Sequence, residues 1–171
     1  MSVRTKTPWD DVADDDAPAP MTPIFLPALH RRPVPERRWI VQDWLPVRQV
    51  TLNYADGGIG KTLLGMQLMA ATALGSQWCG LTVEPCASTG LFSEDDVTEI
   101  HIRMDAIRRS YGVEFPDLAD VHPIDATGAD NILAHFDGNY MMPTKRFNQL
   151  RQCALDTRSR LVVIDTAATT F

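Results

Sequence analysis

Along this chain, short β-rich runs alternate with longer stretches of apolar residues at helical spacing. Residues 49–53 read Gln-Val-Thr-Leu-Asn, a short strand. Residues 62–74 are apolar nearly all round, with Leu63, Leu64, Met66, Leu68, Met69, Ala70, Ala71 and Leu74. That is the pattern of a buried helix, and Gly75 supplies its stop. A second strand is expected over residues 88–93, running straight into Glu94, Asp95 and Asp96. Val97, Ile100, Met104 and Ile107 then recur on one helical face, and Gly112 ends the helix. Glu99 and Arg103 stand four apart on the other side, as do His101 and Asp105. Residues 144–158 form an amphipathic helix with Phe147, Leu150, Cys153 and Ala154 facing inward. Residues 161–164, Leu-Val-Val-Ile, are the continuous run of a parallel strand buried on both faces, and Asp165 follows. Residues 113–143 hold three prolines and two glycines and read as loop. The chain shows no internal repeat.

The first 36 residues are different in kind. They carry most of the prolines and the acidic run Asp10, Asp11, Asp14, Asp15 and Asp16. Such a segment buries too little apolar surface to offset its ordering entropy, so residues 1–36 are expected to be a disordered tail and 37–171 a folded domain. Arg31, Arg32, Arg37 and Arg38 fit either a solvated linker or a contact with nucleic acid. Trp39, Ile40, Val41, Trp44 and Leu45 open the ordered part, as cover for a sheet edge or as packing for a nucleotide base.

A net charge of −6 argues against a broadly basic surface that coats nucleic acid, while leaving room for a local basic groove. Cys79, Cys86 and Cys153 form no close metal-like pair; they suit a reducing cytosol as small apolar fillers, not a zinc site. No apolar run is long enough to span a bilayer and no signal-peptide core is present, so a cytoplasmic protein is expected.

The chemistry is concentrated at residues 55–62, Ala-Asp-Gly-Gly-Ile-Gly-Lys-Thr. A nucleoside triphosphate needs many donors converging on one small volume. Gly57, Gly58 and Gly60 let the backbone curl and aim successive N–H groups inward, and a helix starting near Gly60 adds its positive end. Asp56 and Ile59 complete the loop. Lys61 reaches the β- and γ-phosphates, and the Thr62 hydroxyl ligates Mg²⁺. Ala55 stands where the pattern starts with glycine. The alternative is a glycine-rich turn before an unrelated helix.

Two acidic positions complete a candidate hydrolysis site. Asp165, at the end of an apolar strand, would emerge where ligands sit in open α/β sheets and hold the Mg²⁺ shared with Thr62. Glu94, after the second strand, is the candidate base for the attacking water. Asp95 and Asp96 are alternatives to it, and one of them can instead cap the following helix.

The order Gly-Gly-Ile-Gly-Lys-Thr, Phe-Ser-Glu-Asp-Asp and Leu-Val-Val-Ile-Asp-Thr resembles the RepA-like branch of the RecA-type ATPases, often labelled AAA-family ATPases, over residues 39–171. The resemblance implies an α/β, three-layer P-loop fold of RecA type with a parallel sheet. It implies ATP and Mg²⁺ as ligands, a ring-shaped homo-oligomer, and single-stranded DNA or RNA as a track for a helicase or related motor. By motif position, Lys61 and Thr62 bind phosphate and metal, Glu94 activates water and Asp165 is the Walker B acid. Arg103 falls where relatives often carry an arginine, and its pairing with Glu99 accounts for it. Thr166 stands where proline is common. Relatives place a further strand, bearing a sensor residue, between the Walker B strand and the loop strand; its absence here predicts a domain incomplete at its C-terminus. A catalytically inactive nucleotide-binding fragment and a P-loop phosphotransferase are the alternative readings.

Overall fold

A computed structural model describes residues 21–54, 56–138, 140–166 and 170. Ala55 and the acidic run of residues 10–16 lie outside them. Contacts divide the chain into two units, Met1–Glu36 and Arg37–Phe171. In the first, the described residues hold one short 3-10 turn, Leu26–Leu29, with no buried side chain.

The second unit carries seven strands, three α-helices and a 3-10 turn (Phe115–Leu118) among its described residues: β1 (Trp39–Val41), β2 (Leu45–Pro46), α1 (Lys61–Leu74), β3 (Ser88–Phe92), α2 (Val97–Tyr111), β4 (Val121–Asp125), β5 (Ala134–Asp137), β6 (Tyr140–Pro143), α3 (Lys145–Asp156) and β7 (Leu161–Asp165). The central sheet has the order β4-β3-β7, with both pairings parallel. β1 with β2, and β5 with β6, form separate antiparallel hairpins.

Period-two alternation sorts the sheet residues between two helical layers. Phe92 packs with Met66, Met69, Ala70, Ile100, Met104 and Ile107 of α1 and α2. Leu91, pointing the other way, packs with Ala126, Leu133 and Leu150, the last from α3. Helices thus cover both faces, as a parallel sheet requires. Helix α1 lies close on β3. A Cβ at Gly90 would come within 2.6 Å of the Phe92 ring and 2.8 Å of Met69 Sδ, so any larger residue would force these side chains to shift. Ile40, Val41 and Leu45 of the first hairpin close a third cluster with Leu68, Ala71, Trp78, Val83 and Leu161. Trp44 is exposed and packs at a tilt of 44° against Trp78 with ring centroids 4.8 Å apart, while Trp39 is half-buried under Arg37.

Several sequence expectations are corrected. Residues 49–53 form no strand: Gln49 lies in a bend, the rest take no regular structure, and Val50 and Leu52 are exposed. A strand gains its stability from cross-strand partners, and this segment has none among the described residues. β7 is buried on one face only. Val163 faces α1, but Val162 and Ile164 face an apolar groove of about 550 Å³ shared with Met141, Phe147, Leu150 and Leu155. Leu150 of α3 is seated over Leu91 of β3, which leaves this side of β7 open. Val97, at the first position of α2, is exposed. Phe147 is 40% exposed, at the rim of the groove. Residues 113–143, read as loop, contain β4 and the β5–β6 hairpin. Pro123 is tolerated because β4 is an edge strand. Cys79 is exposed, not a filler.

Candidate functional site

The glycine loop leads directly into α1, whose N-cap is Gly60 at φ 92°. Gly58 also has a positive φ, of 77°. Side chains rarely adopt that conformation, so glycine at these two positions makes the curl possible. Residues 56–60 are exposed, with open space around the three glycines. Lys61 folds back across the loop, its Nζ donating to the Asp56 carbonyl at 2.6 Å. A backbone carbonyl holds the ammonium where a phosphate oxygen would compete for it.

Thr62 starts the helix face that also carries Gly65 and Met69, at i, i+3 and i+7. That face lies on the sheet: a Cβ at Gly65 would sit 3.2 Å from Val163. Val163 and Asp165 project from the same side of β7, being two residues apart. Thr62 therefore meets Asp165, and its Oγ1 donates to Asp165 Oδ2 at 2.5 Å across 103 residues of sequence. A hydroxyl oxygen and a carboxylate oxygen share one point at the carboxyl end of the sheet.

The parallel register sets Phe92 beside Asp165, and Ser93 N donates to Asp165 O at 2.8 Å. The three acids that follow diverge. Glu94 is exposed, on a polar cleft lined with Asp96, Thr98, Glu99 and Thr127. Asp95 is buried and ion-paired to Arg103, Nε to Oδ2 3.2 Å. Asp96 is the N-cap of α2, its Oδ1 accepting from Glu99 N at 2.9 Å. Burial pushes the Asp95 carboxyl above the usual range, against the pull of Arg103; Glu99, Asp165 and Glu94 add to the upward push. Asp125, ending β4, braces the segment from outside. It accepts from Val97 N at 3.0 Å and from Thr127 N and Oγ1 at 2.9 and 2.6 Å. The Thr127 bonds and that from Val97 hold its carboxyl below the usual range.

The site residues read from the sequence thus fall into two groups. Thr62 and Asp165 are joined directly, and Lys61 sits beside them in the chain at the mouth of the loop. Glu94 arrives at the same sheet edge through its neighbour Ser93. Sequence reasoning explained Arg103 by Glu99 alone. The structure adds Asp95 as its second partner, a contact that depends on how the loop before α2 turns.

A hydroxyl and one carboxylate are hard oxygen donors, a set that suits Mg²⁺ carried in with phosphates and waters. Among the described residues no three His, Cys, Asp or Glu side chains converge to hold a metal. The Thr62–Asp165 pair accordingly fits a metal that takes its remaining ligands from the nucleotide. Among the same residues no helix is long and apolar enough to cross a membrane.

No curated protein and no solved structure matches the chain. The family model described as AAA domain matches residues 19–171, and with its phosphate-loop, Thr62 and Asp165 arrangement the chain belongs to that family of P-loop ATPases.

Proposed function

We propose that the protein binds ATP with Mg²⁺ and hydrolyses it, as a RecA-type motor of the RepA-like kind. The observation that carries this reading is the Thr62–Asp165 hydrogen bond, which joins the two metal-binding positions of the motif. The backbone N–H groups of residues 57–62 and the α1 N-terminus cradle the phosphates. Lys61 exchanges the Asp56 carbonyl for β- and γ-phosphate oxygens. Thr62 and Asp165 hold Mg²⁺, which when bound neutralises charge on the transferring phosphoryl group. Glu94 orients a water against the γ-phosphorus and takes its proton as the P–O bond to the leaving ADP breaks. A ring of copies in the cytoplasm, moving on single-stranded DNA, extends the same reading; it is supported by motif order alone.

Binding without turnover is the second reading. It is favoured by residues 49–54, which are exposed and belong to no strand among the described residues, so that α1 is the regular element adjoining the loop. Phosphate release from Mg-ATP separates the two. The intact protein should turn over, and Lys61→Ala should abolish turnover. Turnover retained by Lys61→Ala refutes the hydrolysis reading. Calorimetric binding with no phosphate released supports the second.

A further inference from the structure

We propose that Asp95 and Arg103 form a positioning unit that aims Glu94 at the nucleotide. The proposal rests on the hydrolysis reading and assigns roles within that site.

Three consecutive acids leave β3, and each has a different fate. Asp96 is fixed by the start of α2, its side chain accepting from Glu99 N and its carbonyl from Ile100 N, both at 2.9 Å. On the other side, Ser93 is tied to β7 through its N–H on the Asp165 carbonyl. Asp95 turns inward and is buried; Oδ2 is enclosed and makes no hydrogen bond. Its compensation is the Arg103 guanidinium, whose Nε stands 3.2 Å from Asp95 Oδ2 and 2.7 Å from Glu99 Oε1. Glu94 is thereby held outward between two fixed neighbours, exposed on the polar cleft.

Stability does not account for this arrangement. The Glu99–Arg103 pair is a complete i,i+4 bridge without Asp95. Burying a carboxylate beside one cation is commonly neutral or unfavourable relative to an apolar residue of the same shape. What the buried pair does is geometric and electrostatic. Anchoring Asp95 beneath the turn leaves its neighbour one outward direction. Arg103 also places a positive charge against Asp95 and Glu99, offsetting the repulsion that Asp95 feels from Glu99, Asp165 and Glu94.

The test is steady-state hydrolysis of Mg-ATP by the intact protein, with Glu94→Gln as reference. Arg103→Ala and Asp95→Ala should each lower kcat by about 100-fold, the loss typical of a misplaced catalytic group. KM for ATP should stay within about threefold, because the phosphate loop is untouched. The double variant should be no worse than either single one, since the two residues act as one unit. Arg103→Lys keeps the charge without the guanidinium and should recover part of kcat. A second measurement keeps the proposal testable where a variant folds poorly. Arg103→Lys should bind Mg-ADP normally but bind Mg-ADP with aluminium fluoride, a mimic of the attacked phosphoryl group, more weakly than wild type. Wild-type kcat in Arg103→Ala, a loss lying wholly in KM, or additive effects would each overturn the proposal. So would Asp95→Asn as inactive as Glu94→Gln beside a near-normal Arg103→Ala, which makes Asp95 the base itself. Turnover surviving Glu94→Gln instead sinks the role given to Glu94 and leaves nothing to position.

Discussion

The bond between Thr62 and Asp165 has a measurable energy before any nucleotide is added. It is a single hydroxyl donating to a carboxylate at 2.5 Å, with both residues half-buried. Hydrogen bonds to charged acceptors contribute about 1.5–3 kcal/mol, and partial exposure places this one near 1.5 kcal/mol. Thr62→Val removes the hydroxyl with little change of shape. It should lower unfolding free energy by about that amount, or roughly 5 °C in Tm for a domain of this size. Asp165→Ala alone is a poorer measure, because it also relieves the repulsion between Asp165 and Asp95. A double-mutant cycle cancels that relief, which is present whether or not residue 62 carries its hydroxyl. The coupling energy by urea unfolding should be about 1.5 kcal/mol. A coupling below roughly 0.5 kcal/mol would show that the pair does not hold helix to strand. Added Mg-ADP should stabilise wild type by about 2.7 kcal/mol at a hundredfold excess over Kd. Thr62→Val should lose the Mg²⁺-dependent part of that gain. An unchanged gain would refute the metal-binding role.

Other outcomes follow from packing and ionisation. Gly90→Ala drives a methyl into the Phe92 ring and Met69 Sδ and should cost about 1–3 kcal/mol by urea unfolding; a neutral result would mean α1 sits further from β3. Asp125 has a folded-state pKa below its ordinary value of 3.8, with the Thr127 side-chain bond as the largest cause and the backbone bonds of Thr127 and Val97 adding to it. Its ionised form therefore contributes stability above about pH 4, which is lost as pH falls through the lowered value. Asp125→Asn should be less stable than wild type at pH 7, and the gap between the two should narrow as pH falls; a gap unchanged by acid would contradict this origin.

Helical spacing identified α2 and α3 by a buried stripe and α1 by an apolar run long enough for a buried helix, and the stops at Gly75 and Gly112 are seen as left-handed C-caps. β7 was legible as an apolar run ending in an acid, and β3 as a short segment running into three acids. The short strands were not. β4 carries Pro123 and has little apolar pattern, so its formation depends on the β3 edge being there to receive it. The β5–β6 hairpin left one usable signal, Gly138-Asn139 between two runs, of the kind that marks a two-residue turn. Residues 49–53 show the opposite failure: a strand-like sequence forms no strand, and none of the described residues pairs with it as one.

The candidate site divides in the same way. Amino-acid order alone determined the glycine loop, its lysine and threonine, and the acids after two strands, because these are local chemistry with fixed spacing. Tertiary structure decided which of them meet. Asp165 faces Thr62 because β-strand alternation and the approach of α1 at Gly65 put both on one side of the sheet. The sequence put Glu94 first as the base but kept Asp95 and Asp96 as alternatives, either of them a possible cap. Burial beside Arg103, the first turn of α2, and the open cleft separated them into anchor, cap and exposed carboxylate. Those differences arise from neighbours brought in by packing, which no spacing along the chain encodes.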